Sequence, residues 1–327
     1  TTILPNADAL FLTAIGKYGH ELWRWTFPVD KLNQTNEMFS PLSGKATYSE
    51  TENELTVKAK NHTFIFSKRD GQLKGVSVNN HKTSFANGPR FIGARRADRS
   101  LDQFYNHDDE KAKEKDRTYS EFPDAAVFTK LEVKEDGGNL IVTANYKLGN
   151  LDKAQWTINP NGEAALDYTY NFSGVVDLIG ICFDYPEDQV ISKRWLGAGP
   201  YRVWQNRIHG TQYDVWENDY NDPIPGETFT YPEFKGYFGS VSWMNIRTKE
   251  GTISLTNETP DSYIGVYQPR DGRDRLLYTL PESGISVLNV IPPVRNKVNS
   301  TDLCGPSSQP KWVNGPQTGR IIFRFME

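Results

Sequence analysis

The chain of 327 residues has few of the residues that build disulfide frameworks or metal centres. Its two cysteines, Cys182 and Cys304, are too few for a disulfide framework in a domain of this size, so we expect free thiols. The five histidines are scattered and show no H-x-x-x-H or C-x-x-C pairing of the kind that a zinc site uses. We therefore predict no metal and no other cofactor.

Long apolar runs and an excess of one charge are also missing. No run approaches the ~20 apolar residues that a membrane-spanning helix needs. The 37 Lys and Arg residues nearly balance 41 Asp and Glu residues, giving a net charge of -4 without a dominant block of either sign. Neither nucleic acid nor an anionic membrane is then a predicted partner, and a carbohydrate or a protein fits better.

Short alternating or β-branched runs fill most of the chain. Examples are ELTVKA, HTFIFS, LKGVSV, NLIVTANYKL, YFGSVSWMNIRT and RIIFRF, each predicted as one strand. Glycine-containing hairpin signals such as KRDGQ, KEDGGN, NPNGE, TKEGT and PRDGR stand between such runs. Strands do not alternate with amphipathic helices of about ten residues, so doubly wound folds and the (β/α)₈ barrel are not expected. The pattern predicts an all-β, mainly antiparallel protein.

Composition changes indicate the domain boundaries. Residues 1–30 contain two predicted strands around a Tyr18-Gly19 turn, and two strands alone are not stable, so we expect them to belong to a neighbouring β-domain or to pair with the main one. Residues 31–44 are polar and are predicted to be a linker, followed by the main domain at 45–327. Residues 100–117 are highly charged without an apolar stripe, which predicts a solvated loop or a short surface helix.

Residues 194–207, RWLGAGPYRVWQNR, concentrate arginine and aromatic side chains around a Gly-Ala-Gly-Pro bend. If a strand follows the bend, Arg202 and Trp204 lie on one face of it and Arg207 points away unless a bulge intervenes. A tryptophan ring can stack on a sugar, and an arginine can hold hydroxyls or carboxylates. The alternative is that Trp204 belongs to the core and that the arginines form ion pairs with Asp214, Glu217 or Glu233.

The order of these features resembles the C-terminal small-chain domain of glycoside hydrolase family 2 β-galactosidases. The resemblance covers about residues 45–327. It is carried by NHTFIFSKRDGQLKGVSVNNHKTSFANGPRF, by FIGARRADRS, by YPEFKGYFGSVSWMNI and most specifically by the series Trp195, Gly197, Gly199, Pro200, Trp204, Asn206 and Arg207.

This resemblance implies an antiparallel β-supersandwich of the galactose-mutarotase type, with residues 1–30 as the tail of a preceding immunoglobulin-like domain. It implies a domain that stabilises a glycosidase and contributes one wall of its carbohydrate site. The partners would be a galactoside or another oligosaccharide and the catalytic barrel of the parent enzyme. Since a retaining glycosidase needs two carboxyl groups about 5 Å apart and the family's pair lies in the barrel, we expect no catalytic residue here and no hydrolysis by the chain alone.

The resemblance and the residue types together give the predicted substrate-binding set, which is Arg95, Arg96, Asp98, Arg202, Trp204, Arg207 and His209. For His209 a structural, hydrogen-bonded role is the alternative, because a general acid or base needs a matched partner. Asp219, Asn221 and Asp222 offer clustered oxygens, but their spacing is not that of a known calcium loop, so turn chemistry is the favoured interpretation.

One departure from the family lies near the C-terminus. Where the family's β-galactosidases place a tryptophan into the active site, residues 301–306 have Cys304, and Trp312 is eight residues further on. Lactose-type specificity is therefore not implied. Other functions compatible with these residues are a free-standing carbohydrate-binding module, an aldose mutarotase and a polysaccharide lyase. A periplasmic or secreted bacterial location is favoured over a cytoplasmic one.

Overall fold

The computed structural model describes residues 7–29, 37–40, 43–96, 119–219, 236–259, 261–266, 283–293 and 305–327. The predicted all-β, antiparallel class is confirmed, since every ladder between the strands of these residues is antiparallel. The strands in chain order are β1 Ala9–Ile15, β2 Glu21–Pro28, β3 Thr47–Glu50, β4 Glu54–Ala59, β5 His62–Ser67, β6 Leu73–Val78, β7 His81–Lys82, β8 Ala86–Arg96, β9 Tyr119–Glu121, β10 Val127–Asp136, β11 Asn139–Lys147, β12 Leu151–Ile158, β13 Ala164–Val176, β14 Leu178–Asp184, β15 Val190–Gly199, β16 Gln212–Asn218, β17 Phe238–Gly239, β18 Trp243–Thr248, β19 Gly251–Asn257, β20 Tyr263–Val266, β21 Ile285–Val290 and β22 Lys311–Met326.

Two large sheets form the body of the protein. Sheet I has nine strands in the order β10-β11-β12-β13-β22-β19-β18-β15-β16. Sheet II has eleven strands, with β17-β20-β21-β14-β8-β6-β5-β4-β3 in order, β7 beside β6 and β9 beside β8. Within the described ranges, two short 3-10 helices, Glu187–Gln189 and Pro306–Ser308, lie in connections. The long β13 and β22 pair over their whole shared length and form the centre of sheet I.

The predicted hairpin glycines lie in tight turns between consecutive strands. Gly71 joins β5 to β6 at φ 73°, and Gly162 joins β12 to β13 at φ 87°. Gly71 is also constrained by its neighbours, because a Cβ there would lie 2.7 Å from the Cβ of Ala144 in sheet I. The PRDGR signal lies outside the described residues. The run YFGSVSWMNIRT was predicted as one strand, but it divides into β17 of sheet II and β18 of sheet I. The chain changes sheet there.

Aromatic side chains from both sheets meet in the main core. The ring centroid of Phe183 in sheet II lies 5.5 Å from that of Phe323 and 6.0 Å from that of Trp156, both in sheet I. Polar bonds also join the sheets: the Tyr170 hydroxyl donates to Asn289 Oδ1 over 2.7 Å. Because the inward residues of each strand alternate with outward ones, this packing leaves each sheet with a second, outer face.

The N-terminal hairpin, β1 and β2, forms a separate two-stranded sheet, so the two strands predicted around Tyr18-Gly19 are confirmed. Its apolar side chains are unusually open to solvent: Leu12 is 57% exposed, Ile15 is 59% and Leu22 is 60%. The segment 37–40 within the predicted linker contacts sheet I, where Asn139 Nδ2 donates to the Phe39 carbonyl oxygen over 2.7 Å.

Candidate functional site

Residues 200–211, here called the sheet-crossing loop, follow the Gly-Ala-Gly-Pro bend and connect β15 to β16. Strand β15 runs through the bend as far as Gly199, and no strand follows until Gln212. The prediction that Arg202 and Trp204 share the face of a strand is therefore wrong. An isolated antiparallel bridge between Trp204 and Arg207 forms a tight turn instead, in which the Arg207 N–H donates to the Trp204 carbonyl over 2.8 Å.

The loop leaves sheet I and binds the backbone of sheet II. Val203 and Tyr237, the residue before β17, exchange two N–H to carbonyl bonds of 2.7 and 2.9 Å. Beyond them the Gln205 N–H donates to the Pro292 carbonyl over 3.1 Å, just after β21. The concentration of residues at 194–207 thus serves first to connect the two sheets, because these bonds hold the loop across the edge of the sandwich.

Trp204 lies in a second, smaller core on the outer face of sheet II. Only 4% of it is exposed, and its ring meets Tyr237 edge-on at 5.5 Å. Its ring therefore has no open face for a sugar, and the core alternative describes its position. The other members of this second core are Ile92, Leu178, Cys182, Val203, Leu288 and Ile291, with Tyr263 packed against them.

Cys182 is a free thiol within the second core, as predicted. Burial raises its pKa to about 11, against the smaller opposing effect of the Arg90 guanidinium. A thiol with so high a pKa is mostly protonated near neutral pH and is a poor nucleophile. Cys304 and the comparison of residues 301–304 with the family's tryptophan loop lie outside the described residues.

Side-chain bonds attach the loop to residues 305–309 as well. Gln205, which is 6% exposed, donates through Nε2 to the carbonyls of Ser307 and Gln309 over 2.9 and 2.7 Å. Asn206 Nδ2 donates to Ser308 Oγ over 3.0 Å. The loop is therefore fixed from two sides, by sheet II and by the segment that precedes β22.

The predicted arginines of the loop have different environments. Arg202 is half-buried, with its guanidinium carbon 5.2 Å from the Phe238 ring centroid. The buried Lys193 ammonium lies 5.9 Å from the same centroid. Arg207 and His209 are exposed, and so is Tyr201 at 67%. Solvent therefore reaches one aromatic, one cationic and one imidazole side chain on a loop with a fixed backbone.

Arg95 and Arg96 end β8, and Asp98 lies outside the described residues. The second core joins β8 to the sheet-crossing loop through Ile92. Alternation along β8 puts Arg95 on the side of Phe91, which packs in the main core, and not on the side of Ile92. Strand β8 and the loop are thus close, but Arg95 and Trp204 do not share a face.

The predicted acidic partners of the loop arginines are arranged differently. Asp214 Oδ2 lies 3.7 Å from Nη1 of Arg24 in the N-terminal hairpin. Glu233, Asn221 and Asp222 lie outside the described residues, and Asp219 is exposed after β16.

In the part of the chain that the structure describes, no group of three or more His, Cys, Asp or Glu residues could hold a metal ion. Nor do those residues include a helix that is long and apolar enough to cross a membrane.

Sequence reasoning missed the outer face of sheet I. Arg194 is exposed and projects there, as do Asn245 and Ser254 on the paired strands β18 and β19. The signal was present as alternation in WMNIRT and GTISLT, where polar residues occupy every second position. The strands were predicted, but the register that aligns their polar residues was not visible.

A family model described as the beta galactosidase small chain matches residues 58–290. The chain belongs to the β-galactosidase small chain family. The match includes the bend, the sheet-crossing loop and the residues of the second core from Ile92 to Leu288. The predicted resemblance is therefore confirmed. Comparison with curated proteins gives no match.

Solved structures that resemble the small-chain family member have low sequence identity to it. Galactose 1-epimerase from Lactobacillus acidophilus is 10% identical with a TM-score of 0.48, covering 87% of this chain and 99% of that one. An aldose epimerase homologue from C. elegans is 9% identical with a TM-score of 0.36, covering 86% and 99%. A galactose mutarotase-like protein from Lactobacillus casei is 9% identical with a TM-score of 0.36, covering 85% of this chain and 99% of that one.

Proposed function

We propose that this chain is the C-terminal domain of a family 2, β-galactosidase-like glycoside hydrolase, where it stabilises the enzyme and contributes one wall of the carbohydrate site. The observation that carries the proposal is the sheet-crossing loop, within the matched family region. Its backbone is bonded to Tyr237 and Pro292, while Tyr201, Arg207 and His209 are open to solvent. Exposed functional groups on a fixed loop are typical of binding sites.

The chemistry of the proposed wall comes from the exposed side chains. Arg207 offers several N–H donors in a planar fork, and Tyr201 offers an aromatic face and a hydroxyl. Trp204 supports the loop from beneath, since it is buried in the second core. Arg202, Arg95, Arg96 and Asp98 remain proposed rim residues.

The proposed partner is the catalytic barrel of the parent enzyme, which would supply the paired carboxylates. His209 has no hydrogen-bonded carboxylate among the described residues. It therefore lacks, among those residues, the partner that orients a histidine as a general base. We therefore expect the wall to orient a sugar that the barrel hydrolyses.

The test compares the barrel of the parent enzyme alone, this chain alone and the two together, in hydrolysis of an aryl β-galactoside. Only the combination should be active. Arg207→Ala in the combination should raise KM about tenfold with a smaller effect on kcat, because it removes a charged hydrogen bond to the sugar. Arg247→Ala is the control, since Arg247 is an exposed arginine on β18 of the other sheet.

Full activity of the barrel alone, or an unchanged KM in Arg207→Ala, would contradict the proposal. The isolated chain also separates the alternatives. Interconversion of galactose anomers would identify a mutarotase, and an unsaturated uronide product would identify a lyase. Oligosaccharide binding at the loop in the absence of any barrel would identify a carbohydrate-binding module.

We also propose that residues 1–30 complete a preceding immunoglobulin-like domain of the parent enzyme. The supporting observation is the N-terminal hairpin, whose Leu12 and Leu22 are more than half exposed on a sheet of two strands. Such a sheet is marginal alone and gains stability when further strands cover it. Extension of the chain through that domain should protect the backbone amides of β1 and β2 from hydrogen exchange, and unchanged rapid exchange would contradict this assignment.

A further inference from the structure

A cavity of about 1210 Å³ lies between the N-terminal hairpin and the outer face of sheet I. The hairpin side includes Thr26, Pro28 and Val29, and the sheet side includes polar residues of β15, β18, β19 and β22. The sheet-crossing loop covers the outer face of sheet II, so this cavity is on the opposite side of the sandwich. It is therefore separate from the wall proposed above.

Strand register builds a polar row across the floor of this cavity. Arg194 of β15 is paired with Asn245, Asn245 with Ser254, and Ser254 with Arg324 of β22. Directly paired residues of antiparallel strands lie on one face, and neighbouring strands are about 4.8 Å apart. The row therefore spans about 14 Å across four strands. In the next row Trp243 stands between Leu196 and Thr256.

Much of the hydrogen-bonding capacity of this floor is unused within the protein. The side chains of Arg194, Asn245 and Ser254 form no hydrogen bond or ion pair with any residue that the structure describes. Trp243 Nε1 and Glu258 Oε1 are buried, and neither atom has a hydrogen-bond partner among the described residues. The Glu258 side chain is 10% exposed, and its other oxygen binds Arg320 at 3.0 Å.

Buried polar atoms without partners cost about 1–3 kcal/mol each, and most native ones are satisfied by protein, water or ligand. Trp243 Nε1 and Glu258 Oε1 are two such buried atoms on one cavity wall, and the unbonded side chains of Arg194, Asn245 and Ser254 also line it. The arrangement indicates a site that is completed by a hydrogen-bonding ligand.

The charge of the lining selects the class of ligand. The cations are Arg194 and Arg324, and the anions are Asp8, Glu258 and Asp261. Arg324 is already engaged, because its Nε donates to Glu163 over 2.8 Å. No sign dominates, so a multiply charged ligand gains little here. Hydroxyl groups, which donate and accept together, match the mixture of Asn, Ser, Glu and indole groups.

We propose that this cavity binds a neutral oligosaccharide, with Trp243 beside the sugar and with Arg194, Asn245 and Ser254 bonded to its hydroxyls. The half-buried Trp243 makes no ring contact with any described aromatic residue, so its indole is available for stacking on the apolar face of a sugar. The volume exceeds the roughly 300–1,000 Å³ of sites for one drug-sized molecule, which favours several sugar rings over a single one.

Calorimetric titration of the full chain with defined trisaccharides tests the proposal. The probes are β-1,4-galactotriose and cellotriose, with trigalacturonate as the charged counterpart. At least one neutral probe should bind, and trigalacturonate should bind more weakly, because a lining without a dominant charge does not offset the desolvation of its carboxylates. Failure of both neutral probes to bind at millimolar concentration would overturn the proposal, as would preferential binding of trigalacturonate.

Single substitutions then locate the bound sugar. Asn245→Ala and Arg194→Ala should each weaken binding about fivefold, and Trp243→Phe, which keeps a ring but removes the N–H, should weaken it by a similar factor. Arg247→Ala is the matched control, because Arg247 is exposed on β18 but outside the cavity. Arg194 is itself exposed, so its variant reports on binding even if Trp243→Phe fails to fold.

The outcomes separate this site from the loop. Affinity that falls in the cavity variants and is unchanged in Arg207→Ala supports the cavity. Affinity that falls only in Arg207→Ala overturns it and supports the wall at the sheet-crossing loop. Equal affinity in Asn245→Ala, Arg194→Ala and the parent chain also overturns it.

Discussion

The two outer faces of the sandwich are built from similar strands but are covered in different ways. The outer face of sheet II carries Ile92, Leu178 and Leu288, and the sheet-crossing loop seals it with Val203 and Trp204. The outer face of sheet I carries Arg194, Asn245 and Ser254, and the N-terminal hairpin spans it across a cavity. One face is closed by apolar contact, whereas the other keeps unused hydrogen-bonding groups.

The difference shows how one fold combines rigidity with recognition. The sealed face holds the loop by burying apolar area, a gain of about 25 cal/mol per Å². The open face gains little from packing and keeps groups that a ligand can satisfy. Tryptophan illustrates both uses, since Trp204 is buried in the second core and Trp243 is half-buried beside the cavity. Substitutions on the sealed face should therefore lower stability, whereas substitutions on the open face should lower ligand affinity.

The largest effect is expected from Trp204→Ala on the sealed face. It should lower the free energy of unfolding by about 3–5 kcal/mol, because a large buried ring leaves a cavity in the second core. Trp312→Ala is the control, since Trp312 is 69% exposed on β22. Urea denaturation measures both. A stable Trp204→Ala protein with weakened sugar binding would instead show that Trp204 contacts the sugar.

A smaller loss of stability is expected from Gln205→Ala. The change leaves the carbonyls of Ser307 and Gln309 without their side-chain donor, which should cost about 1–3 kcal/mol. Gln212→Ala, an exposed glutamine on β16, is the matched control. Thermal unfolding compares the two. Equal midpoints would mean that the backbone bonds to Tyr237 and Pro292 hold the loop without Gln205.

A modest pH effect is expected at the turn between β5 and β6. Burial raises the pKa of Asp70, but bonds from Lys74, the Gln72 N–H and Ser67, together with the Lys74 charge, bring it below its ordinary value of 3.8. A lowered folded pKa stabilises the protein above pH 3.8, and that stability is lost as the pH falls through the folded value. Because the pair is solvent-screened, the loss should stay below about 1 kcal/mol.

Urea denaturation between pH 5 and pH 2 measures this effect. The parent chain should lose more stability than Asp70→Asn, whose side chain does not titrate, and Asp136→Asn in the β10–β11 hairpin is the control. Parallel pH profiles for the parent and Asp70→Asn would rule out a contribution from this turn.

The smallest effect on stability is expected on the open face. Arg194→Ala should change the free energy of unfolding by no more than about 0.5 kcal/mol, because Arg194 is exposed and makes no described ion pair. The same protein should lose trisaccharide affinity, so stability and binding are separated in one variant. A loss above 2 kcal/mol would show that Arg194 is structural.

Strand prediction succeeded where a local pattern specifies the answer. The runs ELTVKA, HTFIFS and LKGVSV are β4, β5 and β6, residue for residue. Gly71 marks the turn between β5 and β6, and Gly162 marks the turn between β12 and β13, because a glycine is favoured where φ is positive. Prediction failed at residues 200–211, where arginine and tryptophan at alternate positions suggested a strand. Bonds to Tyr237 and Pro292, far away in sequence, hold that segment as a loop.

The sequence by itself determined that this protein is an antiparallel all-β chain, since alternation and turn glycines act between residues that are close in the chain. Its membership of the small-chain family rests on the match over residues 58–290. Only the tertiary structure decided that Trp204 is buried while Arg207 is open, and that Arg194, Asn245 and Ser254 form one row. An alternating strand has two faces, and the sequence of that strand specifies which residues share a face. Which face becomes covered depends on strand register and on distant segments that pack against it.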